Sequence, residues 1–288
     1  MFRIVTLLSV ILAIGQADAA TAKDACALAP GEKLNIDDLD VVLGRTAENV
    51  IEKNTFETTE EFEARKAAAV DTIGSKTVVL ASDVDQKHAI YDADKGAWFL
   101  TEFFPSNGRF IFIDDALKSA GLIVSTDYYE TERIKSDVLR SVDELLEDYT
   151  GSNAMGATIA IQKWHHERIV ISEISPKPPT KSKDGVELFA YADTVQVNFL
   201  GSDRTYSALR IDMPRDQALA INGKIGFAIV ADLVDPVRVE SQTFIAPEFD
   251  NPYDRTIDTT VFVANIRCGI AFGPDHSILA TVQTRPPY

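Results

Sequence analysis

Two cysteines, two tryptophans, three methionines and four histidines are all that the 288 residues hold of these types. So few cysteines argue against a disulfide-dense scaffold and against a cysteine-ligated zinc module. Patterns that announce common chemistry are missing as well. There is no GxxxxGK[ST] or GxGxxG to cradle phosphate and no HExxH zinc helix. There is no GxSxG nucleophile elbow, and neither cysteine has a reactive-site context. Basic residues are scarce: 28 Lys and Arg stand against 44 Asp and Glu, for a net charge of −16. Nucleic acid and anionic membrane surfaces need clustered Lys and Arg, so neither is expected as a partner. No repeat of fixed period is present, which removes propellers and solenoids from consideration.

What is present starts at the N-terminus. "MFRIVTLLSVILAIGQADA" carries Arg3, an apolar run from Ile4 to Ile14 broken by Thr6 and Ser9, and the small residues of Ala17-Asp18-Ala19. These three parts predict a secretory signal peptide over residues 1–19. The run is too short to cross a bilayer as a helix, which takes about 20 residues. The alternatives are an uncleaved anchor or a buried first helix. The mature chain is expected in the periplasm or outside the cell, with no membrane span after cleavage. In that oxidising setting Cys26 and Cys268 predict one disulfide, the alternative being two unpaired thiols. Closing a loop that spans most of the chain would contribute about 5 kcal/mol in the chain-entropy model.

Residues 20–35 read as a flexible leader, and 36–288 as one β-rich domain that could divide at the Pro- and Lys-rich stretch 175–185. Residues 36–53 fit a short helix or a strand. Thr58 and Glu61 form a capping box. Phe62, Ala69, Val70 and Ile73 follow on one helical face, and Gly74 stops it. "HAIYDADKGAWFLTEFF" predicts a hairpin around its turn, and "KTVVLAS" a strand. Residues 108–125 suggest a strand pair, or a strand and a short helix. Ile134, Val138, Val142, Leu145 and Tyr149 recur at steps of three and four, which predicts a helix over 130–149. Residues 158–171 suggest one long strand or a hairpin around 164–168. Further strands follow, and Pro214 with Gly223 brackets a short helix. The sum is an α+β, β-rich fold of antiparallel sheet or sheets with two or three separate helices.

The residues with chemical potential are few. In "QKWHHERIVI" His165 and His166 are adjacent, and a strand sends adjacent side chains to opposite faces. They are therefore expected to be structural or solvent-facing rather than joint metal ligands. His88 and His276 fall at a strand start and in a turn. Asp250, Asn251, Asp254 and Asp258 would suit calcium as oxygen donors, but their spacing is not the EF-hand loop. A turn-rich loop is the reading of those residues. Trp98, Trp164 and the Phe-rich strands suit a core, or a ligand groove. No catalytic, cofactor-binding or metal residue is assigned from the sequence.

Four phrases carry a resemblance: "FETTEEFEAR" at 56–65, "YDAD" at 91–94, "GSNAMGA" at 151–157 and "MPRDQALAI" at 213–221. In these the chain resembles uncharacterised secreted proteins of Gram-negative bacteria that contain a domain of unknown function. The resemblance implies an envelope location and brings no activity and no functional residues. The expectation is a soluble, non-catalytic binding or scaffolding module of the envelope, its partner an envelope protein or a small ligand. The alternative is an envelope hydrolase whose site is assembled from distant residues.

Overall fold

A computed structural model of the chain describes residues 25–47, 56–62, 64–65, 76–83, 86–101, 117, 122, 134–152, 156–174, 192–199 and 202–284. Residues 1–19, expected as a signal peptide, and the 175–185 stretch lie outside them, as does nearly all of 108–125.

Two sheets make up the fold. The described elements run in order α1 (Leu39–Ala47), β1 (Thr77–Ala81), β2 (Ala89–Asp92), β3 (Ala97–Thr101), β4 (Ile134–Ser152) and β5 (Thr158–Ile174). They continue with β6 (Asp193–Phe199), β7 (Ser202–Asp212), α2 (Arg215–Ile221), β8 (Gly226–Ile245), β9 (Tyr253–Phe272) and β10 (Ile278–Gln283). The larger sheet has the order β1-β8-β9-β5-β4, with β10 continuing the β9 edge beyond β5. The smaller is β2-β3-β7-β6. All pairings are antiparallel except β5 with β9, which is parallel from Gln162↔Tyr253 to Ser172↔Val263. The expected β-rich α+β class is therefore found, with the larger sheet mixed rather than purely antiparallel.

The core lies between the sheets. Val78 and Leu80 of β1, Phe227 and Ile229 of β8, and Phe262 of β9 pack with Trp98 and Leu100 of β3 and Ile211 of β7. Both helices close this layer through Val42 and Ala218, each about 1% exposed. The opposite face of the larger sheet is covered too. Val79, Ala228, Val230 and Ile270 pack against Ala25 and Leu34 there. Strands with two covered faces need continuous rather than alternating apolar residues. β8 meets this demand: Phe227, Ala228, Ile229, Val230 and Ala231 are all buried in succession. Gly226 is required at its start, because an added Cβ would sit 2.2 Å from the Phe272 ring beside it.

The stretch expected to be a loose leader is packed from residue 25 onward. Cys26 is bonded to Cys268 with Cα atoms 5.9 Å apart, so the predicted bridge is present. Gly31 N–H donates to Ile278 O and Leu34 N–H to His276 O. The apolar residues Ala25, Leu28, Leu34 and Ile36 supply the burial that a flexible leader lacks.

The helix expected over 130–149 is the strand β4, paired with β5 along its whole length. Register shifts at 138/140 and 145/147 each insert one residue, and the residues spaced by three and four do not all share a face. Val138 and Leu145 consequently lie on one face of the sheet, Val142 and Tyr149 on the other. Other readings hold. Thr58 N–H donates to Glu61 Oε2 at 2.9 Å and Glu61 N–H to Thr58 Oγ1 at 3.2 Å, the reciprocal capping box. Of residues 36–53, Leu39–Ala47 form the helix α1, and 48–53 lie outside the described residues. The 89–101 hairpin forms as β2 and β3, and α2 begins directly after Pro214.

Candidate functional site

β5 is one unbroken strand, so the two histidines lie in its middle and face opposite ways, as strand geometry requires. Each meets a carboxylate. His165 Nε2 donates to Asp258 Oδ2 at 2.8 Å, and Gln242 Nε2 donates to the other oxygen of that carboxylate at 2.7 Å. Hydrogen bonding to His165 holds the Asp258 carboxyl below its usual range. On the opposite face His166 lies directly across from Asp143 and donates from Nδ1 to Oδ1 at 2.7 Å. Arg168 Nη2 donates to the same oxygen at 2.6 Å. These bonds, the one from His166 foremost, lower the Asp143 carboxyl. The His166 ring is stacked on Trp164, 14° from parallel.

Asp143 and His166 form a carboxylate–imidazole pair of the kind that orients a general base. Its remaining nitrogen, His166 Nε2, is buried and has no hydrogen-bond partner. Thr259 Oγ1 and Ser241 Oγ, on the next row of the same face, are likewise buried and unpartnered. Among the described residues no hydroxyl or thiol donates to Nε2. The arrangement serves the sheet: it places hydrogen-bonded polar pairs across β4, β5 and β9 where apolar cover ends.

The other sequence candidates separate. Asp250 and Asn251 sit in a turn closed by Glu248 N–H to Asn251 O at 3.0 Å. Asp254 and Asp258 are already within β9, where Asp254 accepts from Tyr149 OH at 3.1 Å. The four do not converge, and among the described residues no three His, Cys, Asp or Glu side chains are grouped to hold a metal ion. His88 ends a short 3-10 turn ahead of β2. His276 occupies a positive-φ turn position with its ring edge-on to Phe272.

A concave site occurs elsewhere, where the edge of the smaller sheet meets α2. Tyr91 and Trp98 are directly opposed on β2 and β3. Their rings lie 5.4 Å apart at 57°. The Tyr91 hydroxyl donates to Met213 O at 3.0 Å, and Met213 N–H donates to Gly96 O at 2.9 Å. These two bonds tie the chain entering α2 to the hairpin. Pro214 then starts the helix with its fixed φ of −58°. The result is a cleft of about 420 Å³ lined by Ala89, Tyr91, Ala93, Trp98, Arg215, Ala218, Leu219 and Asn222. That volume lies within the usual range for small-molecule sites. The floor is aromatic, one wall is aliphatic, and polar groups stand on the helix. Arg215 has no hydrogen-bond or ion-pair partner among the described residues. Among the described residues no histidine and no carboxylate lines the cleft.

Sequence reading identified the parts of this cleft but not their meeting. Tyr91 and Trp98 were legible as flanks of a hairpin turn, and Arg215 as the first residue of a helix. Their contact depends on the pairing of β3 with β7, which delivers α2 to the hairpin. No family model matches the chain, and no curated protein and no solved structure matches it.

Proposed function

We propose that the protein is an exported, non-catalytic binding module of the cell envelope that takes a small ligand in the cleft between the β2–β3 hairpin and α2. The observation that carries this reading is the lining of that cleft among the described residues: an aromatic floor, an aliphatic wall and the unpaired cation Arg215. Such a site has what is needed to hold a ligand. The predicted signal peptide supports the compartment, and the Cys26–Cys268 disulfide is compatible with it. Among the described residues no helix is long and apolar enough to cross a membrane. The resemblance to secreted proteins of Gram-negative bacteria points to the same location.

A thermal-shift screen of small organic molecules against the purified protein tests the reading. Stabilisation that is lost when Leu219→Glu fills and charges the cleft supports it. Sustained turnover of a generic ester, peptide or glycan substrate overturns it. The second reading is a hydrolase, favoured by the Asp143–His166 pair with its unpartnered Nε2. It requires turnover that His166→Gln abolishes.

A further inference from the structure

The chemistry of the cleft narrows the ligand class. Arg215 stands unpaired in a chain whose acids outnumber its bases 44 to 28. With that excess, a cation at the rim of a concave site would be expected to find a carboxylate of the protein. Asp212, three residues before it, is paired with Arg210 at 2.8 Å, and two further acids do not serve. Asp92 accepts from Lys95 at 3.1 Å and from the backbone of its own turn. Asp216 is not part of the lining. The guanidinium therefore offers its planar fork of donors to an anion from outside, and a carboxylate matches that fork with two parallel hydrogen bonds. Asn222, about two helical turns further on, adds an amide at the same rim. Behind them Tyr91, Ala89, Ala93 and Leu219 present apolar surface, with Trp98, 4% exposed, packed against the Tyr91 ring. Leu219 is 63% exposed, an apolar side chain that a bound body would cover.

Resting on the binding reading above, we infer that the cleft takes a small aromatic carboxylate. Its ring lies on Tyr91 against Leu219, within reach of Trp98 behind it, and its carboxylate is held by Arg215 with Asn222 beside it. Binding needs no metal and no covalent step.

Three compounds of one shape and different charge test this: 2-naphthoate, 2-naphthalenemethanol and 2-naphthylmethylammonium. The Trp164→Phe protein leaves Trp98 as the single indole and hence as the reporter. 2-Naphthoate is expected to perturb Trp98 fluorescence and to bind about fivefold more tightly than the alcohol, the scale of one exposed charge pair. The ammonium compound is expected to bind most weakly. Arg215→Gln should bring naphthoate to the affinity of the alcohol while leaving the alcohol unchanged, and added salt should weaken naphthoate alone. If the three compounds bind equally, or Arg215→Gln leaves naphthoate binding intact, the carboxylate inference is wrong and the binding reading survives. If no compound of any charge perturbs Trp98, and the thermal-shift screen is also empty, both fail.

Discussion

β8 and β9 run side by side through two regions that differ in what covers them. Where β8 spans 226–233 and β9 spans 264–272, apolar side chains are buried on both faces, and the Cys26–Cys268 bridge holds the N-terminal segment on one of them. Where β8 spans 238–245 and β9 spans 253–260, the strands are flanked by β5 and β4 instead. There burial alternates along β8, Phe244 is 70% exposed, and residues 141–148 of β4 are exposed in succession. Hydrogen-bonded polar pairs take over from packing: His165 with Asp258, His166 with Asp143, Tyr149 with Asp254. The same two strands thus depend on hydrophobic burial at one end and on cross-strand polar contacts at the other. Conspicuous residues such as the paired histidines belong to the second end because it has too little apolar cover to hold its strands by burial alone.

The comparison can be broken by mutation. The largest expected effect is Phe262→Ala, which leaves a cavity in the layer between the sheets and should lower stability by about 3–5 kcal/mol in chemical denaturation. A loss under 1 kcal/mol would show that this layer is not the main source of stability. Replacing both cysteines by serine comes next. It frees the loop closed between residues 26 and 268 and should cost about 2–5 kcal/mol; equal midpoints with and without reductant in the wild type would contradict it.

Asp137 sharpens the contrast through pH. Its carboxyl is 2% exposed, and burial pushes its pKa well above the usual range, partly offset by the hydrogen bond from Ser82 Oγ at 2.6 Å. A folded-state pKa above the unfolded one means the folded chain holds the proton more tightly. Stability is then lost as pH rises from about 4 through the folded pKa. Asp137→Asn removes that loss, so its melting temperature should gain on the wild type across this window. A gap that does not change with pH would refute it.

In the polar region the effects shrink and the sign reverses. The Asp143 carboxyl is lowered by His166 and Arg168, so its contribution is present at neutral pH and lost as pH falls through the carboxylate range. Because Asp143 is half exposed, Asp143→Asn should cost less than about 1 kcal/mol at pH 7 and nothing in acid. Phe244→Ser, at the exposed end of β8, should change stability by no more than about 0.5 kcal/mol.

Features written in contiguous residues were legible in the sequence. The Thr58–Glu61 capping box, the 89–101 hairpin and the helix bracketed by Pro214 and Gly223 each follow from local caps and turn residues. The opposed directions of His165 and His166 follow from strand geometry alone. The β4 strand was not legible, because its apolar residues are split between both faces and interrupted by two register shifts, so they show no alternation and fall by chance at steps of three and four. Nor was the parallel pairing of β5 with β9, which joins segments with no local signal of their partner. The cleft is non-local in the same way: it needs β7 beside β3 before Arg215 can approach Tyr91 and Trp98. A single sequence shows each residue's type, while a site depends on which distant residues the pairing of strands brings together.

The central claim is that ligand chemistry belongs to the cleft and that the histidine pairs belong to the sheet. Amide hydrogen exchange of the purified protein, with and without saturating 2-naphthoate, tests it most directly. Exchange is expected to slow over 89–101 and 214–222, with no change over 141–168. Protection of 141–168 in place of the cleft, or no protection anywhere, would contradict it.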